Sequence, residues 1–371
     1  MKVALVHDYL NQMGGAERVL LALHNLYPDA PVYTSFYDPQ RVDPSFRWME
    51  IRTSWMQRLP LVSRHHQPFL PLYPLAFERL DLAQYDLVLS SSSAFAKGIN
   101  VRADALHICY CHTPMRWAWS HDYLKRERLG PFTHLLLPGL IRRLRRWDWA
   151  TAQRVDSFIA NSPVVAQRIS DCYGREAAII PPPVDTSSYH ISEIQEPFFL
   201  IVSRLVPYKR LDIAIQACNR LHVPLKIIGT GRDRPRMERL AGPTVEVLGW
   251  LPDEQVRLAL SRCQALISTA EEDFGLAMLE AQASGRPVIA YGAGGALSSI
   301  IEGSTGCFFY QQTPEALMDV LRCFQAAQFD PQVIRRHAEA FDTARFRQRI
   351  RQHISDQLSQ RDVLRQTTLA R

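Results

Sequence analysis

The chain has 371 residues with 47% hydrophobic content, more than one domain usually holds and enough for two packed cores. Its net charge of +6 suits anionic ligands or an anionic membrane surface but is too diffuse to mark a nucleic-acid protein. No run of about 18 uninterrupted apolar residues predicts a transmembrane helix. The seven cysteines are scattered, with only Cys109 and Cys111 close together, which is neither a disulfide framework nor a zinc pattern and reads as a reducing cytoplasm.

KVALVH, from Lys2 to His7, is a near-continuous apolar strand, and Asp8 comes too early for a signal-peptide core. The loop DYLNQMGG leads into AERVLLALHNLYP, which has helical spacing. Gly14 and Gly15 form a tight turn or let a ligand approach the helix N-terminus, and no G-x-G-x-x-G fingerprint is present. Pro31 to Tyr37 reads as a second strand, and residues 41–80 as short helices and loops of a variable acceptor region. Tyr85 to Ser92 and Leu106 to Cys111 are buried strands. His112 lies just beyond the second, where open α/β sheets gather ligands, and is either structural or functional.

HLLLPGLIRRLRRWDWATAQRVD, from His134 to Asp156, clusters Arg142, Arg143, Arg145 and Arg146 among leucines and tryptophans. It either docks on anionic lipid or packs inward with its arginines solvated. Ser157 to Ala160 is a strand, with Asn161-Ser162 capping the next helix. The prolines of IIPPPVD mark a boundary, and FFLIVSRL opens a second domain. Arg204 and Lys209 stand five apart at a strand-to-helix turn, as surface decoration or as a diphosphate clamp. PLKIIGTGR is again a strand and a glycine turn, with Gly229 and Gly231. VEVLGWLPDEQ adds a strand, then Trp250, Leu251 and a helix capped at Asp253. Strand ALIST leads to Glu272.

Glu272 and Glu280 are eight positions apart around Phe274-Gly275-Leu276. Were the run helical from Glu272, the two carboxylates would be separated by a rise of about 12 Å. Such a run holds an elongated polyhydroxyl ligand with an anion at the helix N-terminus, or it is a core helix with two solvated glutamates. Gly285 stops the helix, PVIAY is a strand, and residues 292–306 are a Gly-rich loop. The tail FDTARFRQRIRQHISDQL is a basic amphipathic helix, and QTTLAR reads as a disordered end.

EDFGLAMLEAQASGRPVIA resembles the E-x7-E signature of family 4 glycosyltransferases of the GT-B fold. Arg204-Leu205 with Lys209 resembles that family's R-L-x-x-x-K, CHTPMR its acceptor-side His segment, PPVD its hinge and GWLPDEQ its base-contacting segment. The resemblance implies an α/β architecture: two doubly wound Rossmann-like domains facing across a cleft. The expected spans are residues 1–182, a hinge at 183–197, 198–343, and a helix from 344 to 371 that returns to the first domain. It further implies a retaining enzyme that needs no metal or other cofactor and uses a nucleotide-sugar co-substrate. Catalytic roles then fall to His112, Arg204, Lys209 and Glu272, and donor binding to Gly14, Gly15, Gly229, Gly231, Trp250, Leu251, Phe274, Gly275, Leu276 and Glu280. Gly-Gly-Ala-Glu and CHTPMR look most like bacterial mannosyltransferases of O-antigen or exopolysaccharide synthesis. GDP-mannose is thus the expected donor and a saccharide or lipid-linked saccharide at the cytoplasmic membrane face the expected acceptor. An epimerase of the same fold and a non-catalytic sugar-nucleotide-binding partner protein are the alternatives.

Overall fold

The computed structural model describes residues 1–120 and 133–369. Two compact units divide the chain, Met1–Pro183 with Phe346–Arg371, and Val184–Arg345. The first is built on strands β1 (Val3–His7), β2 (Val32–Thr34), β3 (Ile51–Thr53), β4 (Leu87–Ser92), β5 (Leu106–Cys111), β6 (Ser157–Ala160) and β7 (Ala177–Ile179). They form one parallel sheet in the order β3-β2-β1-β4-β5-β6-β7. The second is built on β8 (Phe199–Val202), β9 (Leu225–Ile228), β10 (Val245–Gly249), β11 (Leu266–Ser268), β12 (Val288–Tyr291) and β13 (Gly306–Phe309). Its order, β10-β9-β8-β11-β12-β13, has the same winding.

These strands read as unbroken apolar runs because both faces of each sheet are covered. Along β1, Leu5 packs with Val19, Leu20 and Leu23 of the helix Gly15–His24, while Ala4 and Val6 face Phe36, Tyr73 and Phe77 on the other side. Along β8, Leu200 faces Met278 and Leu279, and Phe199 and Ile201 face Ile213 and Ile215. Phe346, Ile350 and Ile354 recur every four residues on the helix Thr343–Leu369 and bury that stripe in the first core.

Several expectations need correction. Residues 41–80 contain β3, a three-residue edge strand too short to show a period. The helix after Glu272 begins only at Leu276, because Gly275 at φ +91° turns the chain left-handed there. Glu280 is therefore the fifth residue of the helix Leu276–Ala283 rather than two turns in. Pro252, not Asp253, holds the cap position of the helix Asp253–Arg262, and Asp253 supplies charge to its first turn. The helix Thr343–Leu369 meets no breaker and carries on through most of QTTLAR. In the stretch read as a hinge, Val184 and Tyr189 are core residues of the second unit. The Gly285 stop takes the Schellman form, with Gly285 N–H donating to Gln282 O and Arg286 N–H to Ala281 O.

His107 in β5 is fully enclosed, with its Nε2 2.8 Å from Ser90 Oγ. Burial, with the charges of Arg154 and Lys97, drives its pKa down to about 3. As pH falls below the ordinary imidazole range, the unfolded chain takes up a proton that native His107 refuses until about pH 3, so stability is lost across that window. Between pH 6 and 4, urea titrations of the wild type should lose stability more steeply than those of His107→Gln, by about 1.4 kcal/mol per pH unit. Equal slopes would show that His107 is charged in the native protein.

Candidate functional site

The order of each sheet reverses beside its first strand, between β1 and β4 and between β8 and β11, and ligands of doubly wound sheets bind outside the carboxyl ends at that point. In the second unit, β8 runs out through Ser203 to Arg204, a short 3-10 turn Pro207–Lys209 follows, and Arg210 at φ +52° starts the helix Leu211–Leu221. The left-handed turn ends the 3-10 segment beneath Lys209, whose carbonyl accepts 2.8 Å from Thr269 Oγ1 beyond β11. Lys209 Nζ lies 2.5 Å from both oxygens of Glu272, and both side chains are mostly shielded. The structure thus joins Lys209 and Glu272. Arg204 is exposed and donates instead to Tyr208 Oη at 2.8 Å, while Tyr208 lies with its ring centroid 5.3 Å from Lys209 Nζ. Tyr208 is the residue that links the two cations, and it went unread because only charges were sought in that loop.

Glu272 is held in place by backbone crowding. It forms a parallel bridge with Gly294, and Gly295 N–H donates to Glu272 O at 2.7 Å. A Cβ on Gly294 would fall 2.4 Å from that oxygen, and one on Gly295 2.3 Å from Phe274 Cα. The Gly-rich loop at 292–306 therefore serves to grip Glu272. Glu280 is only 5% exposed, which removes the reading of a core helix with two solvated glutamates. Phe274 is a core residue and has only backbone to offer a ligand, and Gly275 and Leu276 open the helix with no side-chain cap.

Gly229 and Gly231 are required by close approach. An added Cβ would stand 1.9 Å from Ser203 O at Gly229 and 2.1 Å from Leu205 O at Gly231. Leu205 N–H donates to Thr230 O and Gly229 N–H to Gly249 O, so the loops after β8, β9 and β10 are sewn together. Beside them Trp250 presents its indole, 71% exposed, and Leu251 is half-buried.

In the first unit, Gly14 is the uncapped N-cap of the helix Gly15–His24 and has extended backbone, so its bareness rather than its dihedral freedom matters there. His112 is 9% exposed, its Nε2 2.8 Å from Ser91 Oγ and its carbonyl 3.0 Å from Asn161 Nδ2. Ser91 Oγ is also 3.1 Å from His7 Nδ1, and His7 Nε2 is 3.6 Å from Glu17 Oε1. Asp8 takes four backbone N–H groups, of Ser93, Ala94, Phe95 and Ala96, at 2.6 to 3.1 Å. His7, Asp8, Glu17 and Ser91 were missed by sequence reading, because nothing in their spacing signals that three separate segments meet. On the helix Thr133–Ala152, Arg142, Arg143 and Arg146 are exposed, whereas Arg145 donates to Ala118 O and lies over Trp119. The side chains of Leu135, Leu136 and Leu137 lie outside the described residues. No group of three metal-ligating side chains is found among the described residues.

Residues 13–188 match the family model Glycosyltransferase Family 4, and residues 190–340 match Glycosyl transferases group 1. The chain is 28% identical over 225 residues to a D-inositol 3-phosphate glycosyltransferase of Geodermatophilus obscurus, covering 51% of this chain and 50% of that one. It is 28% identical over 134 residues to a glycogen synthase of Pseudomonas aeruginosa, covering 34% and 26%. The chain spans about half the length of the first curated relatives it matches. In fold it is similar to Anabaena HepE in complex with UDP-glucose, with a TM-score of 0.71, 20% identity and coverage of 96% and 100%. It is likewise similar to a sucrose-phosphate synthase of Thermosynechococcus elongatus, with a TM-score of 0.75, 16% identity and coverage of 97% and 100%.

Gly231→Ala should destabilise the protein by about 1–3 kcal/mol in urea unfolding, since the added carbon meets backbone that cannot yield. Gly139→Ala is the control: nothing lies within 4 Å of its added carbon, and in a helix the change should be neutral or stabilising by up to about 1 kcal/mol.

Proposed function

We propose that this chain, whose two units carry the GT-B glycosyltransferase fold and match family 4 and group 1 in turn, is a retaining glycosyltransferase. It moves a sugar from a nucleotide-sugar donor to a saccharide or lipid-linked saccharide. The observation that carries the reading is the Lys209–Glu272 pair at the β8/β11 switch point. Leaving-group charge develops on a diphosphate, and a cation fixed at a strand end stabilises that charge more in the transition state than in the bound donor. Lys209 is that cation, with Arg204 steered beside it through Tyr208. The Gly229–Gly231 loop packs its backbone against the turn after β8 that leads to Arg204 and Lys209, and exposed Trp250 offers a flat apolar wall for the base. Glu280 receives the ribose hydroxyls and Glu272 the transferred sugar.

Lys209 and Glu272 neutralise one another, so donor binding shares Lys209 between carboxylate and phosphate. The donor we propose is GDP-mannose, tested in a panel with UDP-glucose, the ligand of the HepE neighbour. The reaction is metal-independent, and Arg142, Arg143 and Arg146 bring the protein to anionic lipid at the cytoplasmic face of the membrane.

Glu280→Ala should weaken both donor and free nucleoside diphosphate by about 1–3 kcal/mol in calorimetry, since both carry the ribose. Glu272→Gln should bind free diphosphate no more weakly than the wild type while losing discrimination among sugars. A loss of diphosphate affinity in Glu272→Gln would reject the division of roles.

Lys209→Ala should lower kcat by about two to three decades, in EDTA as in magnesium. Wild-type turnover that disappears in EDTA would mean that a metal neutralises the diphosphate.

A further inference from the structure

A lysine carries its charge at the end of a flexible four-carbon stem, so a cation that must meet charge at one place needs holding at both ends. The head of Lys209 is held, with Nζ against both oxygens of Glu272. In the proposed reaction those oxygens also receive the sugar and the phosphate draws on Nζ, so the head contact is shared once a donor is bound. The grip on the backbone is not shared.

That grip comes from two side chains beside the site. Thr269 follows β11, the neighbour of β8, is 1% exposed, and donates its hydroxyl to Lys209 O at 2.8 Å. Gln312 follows β13 and donates from Nε2 to Thr269 O at 2.8 Å. Both directions are fixed, because a carbonyl oxygen only accepts. The file thus runs from the end of β13, past β12, through Thr269 to the turn after β8.

The turn it reaches is short. Lys209 N–H donates to Val206 O at 3.0 Å and Arg210 N–H to Pro207 O at 3.2 Å. Arg210 at φ +52° takes a left-handed backbone that a Cβ disfavours, and the helix Leu211–Leu221 starts there without a side-chain cap. Such a turn persists only where its surroundings hold it. Ser203, Lys209, Thr269 and Glu272 line one small cavity, so any relaxation of the turn moves Nζ within the site itself.

We propose that Thr269 and Gln312 are positioning residues that fix the Lys209 backbone and so set where its ammonium meets the departing diphosphate. The tether follows from the second unit alone, whereas the diphosphate rests on the function proposed above. A displaced Nζ costs little in the bound donor, where Glu272 shares the lysine, and more in the transition state, where the phosphate charge is largest. The loss therefore falls on kcat.

The test joins hydrogen exchange of the ligand-free full chain, read by mass spectrometry over residues 206–211, to kinetics in the transfer assay. Thr269→Val removes the hydroxyl and keeps the shape, Thr269→Ser keeps the hydroxyl, and Gln312→Ala removes the second donor at a half-buried position. The amides of Lys209 and Arg210 should exchange at least about threefold faster in Thr269→Val and Gln312→Ala, and at the wild-type rate in Thr269→Ser. Thr269→Val should lower kcat about tenfold with donor KM within about twofold, Gln312→Ala should lie between it and the wild type, and Thr269→Ser should restore kcat. In a Lys209→Ala background Thr269→Val should change kcat by less than about twofold, because it acts through Lys209. Unchanged exchange in Thr269→Val overturns the proposal, as does full kcat or a tenfold loss that persists without Lys209. If Thr269→Val does not fold, the same comparisons in Gln312→Ala decide. A wild type that transfers no sugar from any donor rejects the proposed function instead, and the exchange rates then still decide the tether.

Discussion

In a parallel sheet covered on both faces, polar chemistry has room only at the strand ends, and the crossovers open a gap only where the winding reverses. The polar groups beside the two reversals obey that constraint. His7, Asp8 and Ser91 sit at the ends of β1 and β4, and Ser203, Thr269 and Glu272 follow β8 and β11. The apolar interiors of the strands supply the stiffness. The same topology in both units places different groups at the switch point, a lysine–glutamate pair in the second and a file of histidines and serine in the first.

The strand ends are crowded, and the molecule manages crowding in two ways. Where backbones must nearly touch, it omits the side chain, as at Gly229 and Gly231 against the loop after β8 and at Gly294 and Gly295 against Glu272 and Phe274. Where a charge is buried, it surrounds it. Asp8 takes four amide donors, and Lys97 pairs with Asp148, which also accepts from Trp119 Nε1 and Tyr173 Oη. Those contacts matter because an unpartnered buried charge would cost several kcal/mol. Glu272 and Lys209 follow the same rule, and each keeps the other in place.

Local pattern made much of this visible in the chain itself. Runs such as KVALVH and LKII are apolar enough to demand burial on both sides, and glycine turns after them mark the strand ends, so the two doubly wound domains could be read directly. Glu272, Glu280, Arg204 and Lys209 were legible because they lie within short ordered strings. The string misled where geometry intervened: Gly275 takes a left-handed turn, so the stretch from Glu272 is not helical until Leu276.

What the sequence by itself determined was most of the strands and helices and the loops where charge would gather, because each depends on neighbours within a few residues. Only the tertiary structure decided that Gly294 grips Glu272, that Lys209 rather than Arg204 meets it, and that Glu17, His7, Ser91 and His112 form one file. Those contacts join residues from 10 to 84 positions apart, and strand order and register, which no local period records, bring them together.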